Sequence, residues 1–229
     1  MHDIDKDFAT AFPKLEFELK PFQKKIITNV VDNGNTLCIM PTGGGKSVIY
    51  WMSAVELDGI AIVISPLTSL IDEQAMKIEE QGYEVLKLHG GIPAIKQMKM
   101  LTEFAKGKLN PKFIFISPEK MATDGYLEHC LKKRKKDIKL LVIDEVHCVS
   151  QWGMSFRPFY KRIPDFMDEL FSDNWCRVLA LTATLNNREI HDICNYFKID
   201  KKNIIIQDLL MRSGIQLHIN KYKNEEEKT

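Results

Sequence analysis

The sequence predicts an α/β protein built on a doubly wound, mostly parallel sheet with helices on both faces. Three observations carry that expectation. Short apolar runs alternate with stretches of helical spacing over more than 180 residues, as parallel strands joined by crossover helices require. Several of those runs, such as Ile60-Ala61-Ile62-Val63-Ile64 and Leu140-Leu141-Val142-Ile143, are unbroken rather than alternating, which fits strands buried on both faces. A glycine-rich turn also sits between one such run and a helical stretch.

Taken in order, residues 1–18 read as a polar lead-in, acidic from Met1 to Asp7. The first strand is expected at 36–40, where Thr36-Leu37-Cys38-Ile39 is apolar, and a helix at 48–57 follows the glycine turn. A second strand at 60–65 precedes helical spacing over 70–81. Strands at 85–89 and 112–117 flank a helix over 92–106, and Leu140 to Ile143 marks a strand over 140–144. Strands at 177–182, 203–207 and 216–220 complete the alternation, with a helix over 187–197. No internal repeat or low-complexity linker interrupts it. Residues 19–221 are therefore expected as one domain and 222–229 as a charged, frayed tail.

Composition narrows the function classes. Hydrophobic residues make up 45% of the 229, enough for a core without staples. Lys plus Arg number 32 against 31 Asp plus Glu, a net charge of +1, so any nucleic-acid surface must be local. Cys38, Cys130, Cys148, Cys176 and Cys194 form no C-x-x-C pair, which argues against zinc and against a disulfide framework and fits a reducing compartment. The N-terminus lacks the basic-then-apolar order of a leader, and no apolar run approaches the roughly 18 residues of a membrane span. The expectation is a soluble, intracellular protein with no membrane partner.

The chemistry centres on Met40-Pro41-Thr42-Gly43-Gly44-Gly45-Lys46-Ser47. A strand, a glycine turn and a helix start together make a phosphate site. Backbone N–H groups of Thr42, Gly43, Gly44 and Gly45 can surround phosphate oxygens, the helix start adds free donors, and Lys46 reaches the outer phosphates. The Ser47 hydroxyl is placed for Mg²⁺. The general pattern has Gly where this chain has Met40. Asp144-Glu145-Val146-His147 puts two carboxylates at another strand end. Asp144 is the candidate Mg²⁺ ligand and Glu145 the candidate for handling the attacking water, with Lys46 completing the catalytic set. Taken alone, the tetrapeptide also fits an ordinary acidic loop.

Past it, Trp152, Phe156, Phe159 and Tyr160 interleave with Gln151, Gly153 and Arg157. Their rings and cation suit unstacked bases, each stacking contact being worth ~1–3 kcal/mol, although any one of these aromatics also fits packing under the sheet. Ser65, Thr68 and Ser117 are hydroxyls near strand ends that can meet backbone phosphates or cap helices. The run Lys132-Lys133-Arg134-Lys135-Lys136 reads as a solvated loop and is left out of the site.

Pro41 to Ser47 together with the Asp-Glu-Val-His motif resembles the superfamily 2 helicase ATPase core, a RecA-like domain. The stretch from Cys148 to Tyr160 resembles the aromatic-rich loop of RecQ-family DNA helicases. Ser65-Pro66-Leu67-Thr68-Ser69-Leu70, Ser117-Pro118-Glu119 and Leu181-Thr182-Ala183-Thr184 are similar to that family's further motifs, in its order. The likeness runs from about Leu19 to about Arg212. It implies ATP and Mg²⁺ as cofactors, DNA with a single-stranded region as partner, and 3′-5′ unwinding. It also implies that Lys20 and Gln23 contact adenine, that Gln151 to Tyr160 couples DNA to hydrolysis, and that His147, Thr182 and Thr184 relay nucleotide state. This chain has Lys20 where the family usually has Arg, Glu16 at a usual aromatic, and Met154-Ser155 where His-Asp is usual.

A motor of that family works between two RecA-like domains. Only 45 residues follow Thr184, too few for another, so a second domain in cis is expected outside this chain. The resemblance places such a protein in the cytoplasm or nucleoid of a bacterium, or in a eukaryotic nucleus. Two other readings stay open: an RNA helicase or translocase domain of the same superfamily, and a nucleotide-gated nucleic-acid-binding module.

Overall fold

The computed structural model describes residues 3–149, 158–172 and 174–207. Seven strands form one sheet: β1 Thr36–Ile39, β2 Ile60–Ile64, β3 Val85–Leu88, β4 Phe113–Ile116, β5 Ile138–Ile143, β6 Arg177–Thr182 and β7 Ile204–Ile206. Their spatial order is β3-β4-β2-β5-β6-β1-β7, and every pairing is parallel. The expected strand over 216–220 lies outside the described residues, as does the charged tail.

Period-two alternation sorts each strand between two cores. Leu140 and Val142 of β5, with Ala61 and Val63 of β2, face α1 Ile4–Ala11, α2 Pro21–Asp32, α3 Lys46–Glu56 and α4 Thr68–Glu80. Leu141 and Ile143, with Ile62 and Ile64, face α5 Ala94–Ala105, α7 Gly125–Lys133, α8 Ile163–Phe171 and α9 Asn187–Tyr196. A short α6, Pro118–Thr123, joins the second layer through Met121. Unbroken apolar strands are the consequence of having both faces covered.

Two expectations shift. The polar lead-in contains a helix, α1, that packs into the core. Phe8 and Phe12, four apart and so on one helical face, are buried, and the Phe12 ring lies 5.8 Å from Trp51 and 5.4 Å from Tyr83. The expected strand ends also shift. Met40, Ser65, Ser117 and Asp144 each lie one residue past the ladder, yet each donates a last N–H to the neighbouring strand, to the carbonyls of Thr182, Ile116, Leu88 and Ile64. The chain turns there, and these turns bear the polar side chains of the site.

Candidate functional site

β1 leaves the sheet at Ile39 and α3 starts at Lys46, so Lys46 and Ser47 stand in the first turn of the helix rather than in the loop. Gly45 is the N-cap with φ +87°, a conformation that L side chains avoid, and an added Cβ would stand 2.4 Å from Gln23 Nε2. Met40 explains its own departure from glycine. Its side chain is 1% exposed, and its methyl lies 2.6 Å from where a Cβ on Gly44 would be, so it packs beneath the turn. With Val48 to Ala54 buried in one unbroken run, α3 is a core helix that fixes the loop's exit.

Two strands away, β5 ends in the acid corner. Asp144 Oδ2 accepts the Ser65 hydroxyl at 3.2 Å, Oδ1 accepts the Glu145 N–H at 3.1 Å, and its carbonyl accepts the Tyr160 hydroxyl at 2.8 Å. Glu145 takes φ +50°, a left-handed turn uncommon outside glycine, which swings its carboxylate towards the helix start. One carboxylate oxygen lies 3.5 Å from Lys46 Nζ and the other 3.2 Å from His147 Nδ1. His147 Nδ1 is also 2.9 Å from Thr182 Oγ1, whose hydroxyl is 3.4 Å from the Thr184 carbonyl. Lys46, Glu145, His147 and Thr182 thus form one chain of contacts across the ends of β1, β5 and β6.

The carboxylates sit in unlike environments. Burial, then the charge of Glu145, pushes Asp144 up to about 6, against the opposing pull of Lys46 and Ser65. Its neighbour Glu145 is held below the usual carboxylate range, chiefly by its hydrogen bond to His147 and also by Lys46. Cys148 and then Glu145, both bonded to the imidazole, push His147 up to about 10. At neutral pH the ring is therefore an imidazolium whose Nδ1–H donates to Glu145 and Thr182, and the Thr182 hydroxyl is left to donate onward.

Asp144 suits a divalent cation, because it is a carboxylate whose burial is under-compensated by protein cations. Ser47 and Asp144 are the side chains that would hold such a cation. Among the described residues no group of three or more His, Cys, Asp or Glu is arranged to hold a metal.

Other residues singled out in the sequence fall differently. Tyr160 was expected to offer a face to bases but is completely buried, held by its bond to the Asp144 carbonyl. It is a support of the acid corner. Ser65 and Ser117 were expected on a DNA track, yet they are 2% and 4% exposed. Ser65 is bonded to Asp144, and Ser117 caps α6 by accepting the Lys120 N–H at 3.3 Å. Thr68 is exposed at the first turn of α4, which has no side-chain cap, and Thr184 is exposed as well. Gln23 is 3% exposed, with Oε1 accepting the Lys20 N–H at 2.8 Å and Nε2 donating to the Gly45 carbonyl at 3.2 Å. Reaching adenine requires that amide to leave the loop, whereas the Lys20 side chain is exposed. Gln151, Trp152, Phe156 and Arg157 lie outside the described residues. The Ser65 and Tyr160 supports escaped sequence reasoning because neither partner is near them in the chain.

A family profile described as DEAD/DEAH box helicase matches residues 20–193. The chain is 34% identical over 212 residues to the RecQ-like DNA helicase blm-1 of Caenorhabditis elegans, covering 91% of this chain and 21% of that protein. It is 37% identical over 171 residues to the ATP-dependent DNA helicase RecQ of Bacillus subtilis, covering 75% and 28%. The chain thus spans between a fifth and a third of the length of these relatives. Among solved structures, a hypothetical ATP-dependent RNA helicase from Sulfolobus tokodaii superposes with a TM-score of 0.68 at 19% identity, over 89% of this chain and 57% of that one. The Hef helicase domain of Pyrococcus furiosus gives 0.59 at 21% identity, over 82% and 38%. At these identities the two structures show the shared fold alone.

Proposed function

The chain belongs to the DEAD/DEAH box helicase family, and on that premise we propose that it is the ATP-binding motor domain of a RecQ-like, ATP-dependent DNA helicase. The observation that carries this reading is the contact chain from Lys46 through Glu145 and His147 to Thr182, which joins a phosphate-type loop to an acid corner. In the proposed cycle, backbone donors of the Thr42 to Gly45 turn hold the phosphates, Gly44 leaving the Pro41 carbonyl that its N–H meets at 3.1 Å, and Lys46 turns from Glu145 to the outer phosphate. Mg²⁺ held by Ser47 and Asp144 would supply polarisation of the phosphate oxygens. Glu145, released from Lys46, orients the water that attacks the terminal phosphorus, giving ADP and phosphate. His147 keeps its hold on Glu145 and Thr182, so the same event is felt at Thr184 on the exposed rim.

The partner is DNA with a single-stranded region, met by the Gln151 to Arg157 stretch and by Thr68. A second RecA-like domain supplies the remaining charge at the phosphates, and unwinding requires it. The 3′-5′ direction rests on the RecQ likeness. Among the described residues no helix is long and apolar enough to cross a membrane. The proposed location is intracellular: cytoplasm or nucleoid in a bacterium, nucleus in a eukaryote.

The test measures ATP binding, DNA-stimulated hydrolysis and strand separation for this chain alone and joined to a second RecA-like domain. The expected result is weak binding and little unwinding alone, with both activities arising in the joined protein and lost in Lys46→Ala. Vigorous strand separation by the 229 residues alone would overturn the two-domain reading.

A further inference from the structure

The opposite end of the sheet carries a second concavity. Because all seven strands are parallel, the amino ends of β1, β5 and β6 share one edge, the one away from Lys46. A cavity of about 550 Å³ opens there, with Asn35, Lys135, Lys136, Lys139, Trp175 and Arg177 in its wall. That volume falls in the range of ligand sites. Four of the lining residues are cations, and no carboxylate among the described residues lines it.

Two acids beside the cavity wall are already committed. Asp137, just past the basic run, binds Arg134 Nε at 2.8 Å, and Arg134 turns inward to the Leu109 carbonyl and the Phe104 ring. Lys132 is paired with Glu128. Asp168 accepts the Trp175 indole N–H at 2.8 Å and pairs with Lys198, whose ammonium sits 4.0 Å above that ring. The basic run is therefore divided: Lys132 and Arg134 are satisfied by the protein, while Lys135 and Lys136 join Lys139 and Arg177 at the cavity. Among the described residues none of these four is in an ion pair. In a chain whose net charge is only +1, such a cluster is not a by-product of general basicity.

Like charges around one concavity repel each other and focus a field that concentrates anions. Four separate cations match a ligand with several closely spaced negative charges, as linked phosphates provide, better than one carboxylate. Arg177 adds the planar donor fork suited to phosphate oxygens. Burial pushes the Cys176 thiol in its wall up to about 12. We propose that this cavity is a phosphate-binding subsite for a phosphate-bearing chain, distinct from the nucleotide loop.

Two sources share that chemistry, a nucleic-acid strand and a free polyphosphate, and two arms separate them. In the first, tripolyphosphate is titrated calorimetrically into the Lys46→Ala chain, which removes the main cation of the phosphate loop. Saturable binding is expected, weakened at least tenfold when Lys136→Glu and Arg177→Glu are added. In the second, affinity for oligothymidine is followed against salt. If a strand occupies the cavity, Lys136→Gln with Arg177→Gln lowers the slope of log K against log salt by about 1.4, two cations at about 0.7 each. An unchanged slope with lost tripolyphosphate binding assigns the free polyphosphate. An unchanged slope together with tripolyphosphate binding that is absent, or indifferent to the substitutions, overturns the proposal. Matching melting curves establish that the variants fold. Where they do not match, ligand protection of Lys135 and Lys136 from amine acetylation in the unsubstituted chain reads the same contact, and lack of protection counts against it.

Discussion

At the carboxyl end of the sheet, Lys46, Glu145, His147 and Thr182 touch in sequence at 3.5, 3.2 and 2.9 Å, whereas at the amino end Lys135, Lys136, Lys139 and Arg177 surround a cavity with no counter-ion among the described residues. Both ends are built from turns at the tips of the same three strands. The difference is in what holds the charges. In the first, each charge is positioned by another, so a ligand must displace an internal partner before it can bind. In the second, the cations are held apart by the backbone and a ligand has nothing to displace. The first arrangement suits a site whose state must change during a cycle; the second suits one that only attracts.

The largest effect should come from breaking the coupled end at Glu145. Glu145→Gln is expected to keep nucleotide affinity while DNA-stimulated turnover in the two-domain protein falls about 10²–10⁴-fold, since the carboxylate that handles water is gone. Turnover that survived unchanged would turn the reading towards a nucleotide-gated binding module.

Next in size is the loop itself. Gly45→Ala forces a Cβ to 2.4 Å from Gln23 Nε2 at φ +87° and should cost about 1–3 kcal/mol in chemical denaturation. Adding Gln23→Ala removes the clash but not the backbone conformation, so the double variant should recover part of the loss. Full recovery would show that contact with Gln23, not the left-handed turn, dominates.

A smaller effect is expected beneath the acid corner. Tyr160→Phe deletes one hydrogen bond to the Asp144 carbonyl and leaves the ring in place, so unfolding should cost about 1 kcal/mol less. Should Tyr160 instead face bases, the substitution would leave stability alone and lower DNA affinity.

The smallest expected signal is the pH response of His147. Its pKa is raised from 6.5 to about 10, so its stabilising contribution is complete below pH 6.5 and is lost as pH rises through about 10. Imidazole resonances followed by NMR should stay in the protonated position from pH 6 to 8.5, and Glu145→Gln should move the titration down. A midpoint near 6.5 in the unsubstituted chain would mean that the contact chain is not charged as described.

The strand set was largely legible because burial on both faces leaves a mark in composition: Ile60 to Ile64 and Leu140 to Ile143 have no polar residue to hide them. Lys46 with Ser47, just after a glycine turn, and Asp144 with Glu145, at a strand end, could be singled out because each pair is contiguous. Tyr160 was not. An aromatic in a stretch rich in aromatics and cations looks the same in sequence whether its ring is offered to solvent or its hydroxyl is spent on a carbonyl sixteen residues back. Phe8 and Phe12 were missed because five acidic or basic neighbours from Asp3 to Asp7 and Lys14 mask a two-residue apolar face.

What the sequence determined by itself is local: which runs become strands, where glycine permits a tight turn, and which carboxylates and cations stand beside those turns. Backbone sterics and the need to bury apolar side chains act over a few residues, so they can be read there. Only the tertiary structure decided what each polar group meets. Gln23 turns to the loop, Ser65 and Tyr160 to Asp144, and Lys135, Lys136 and Lys139 join Arg177 around a cavity. Those meetings depend on strand order in a parallel sheet, where residues over a hundred positions apart share one edge, and charge and hydrogen bonding act through space rather than along the chain.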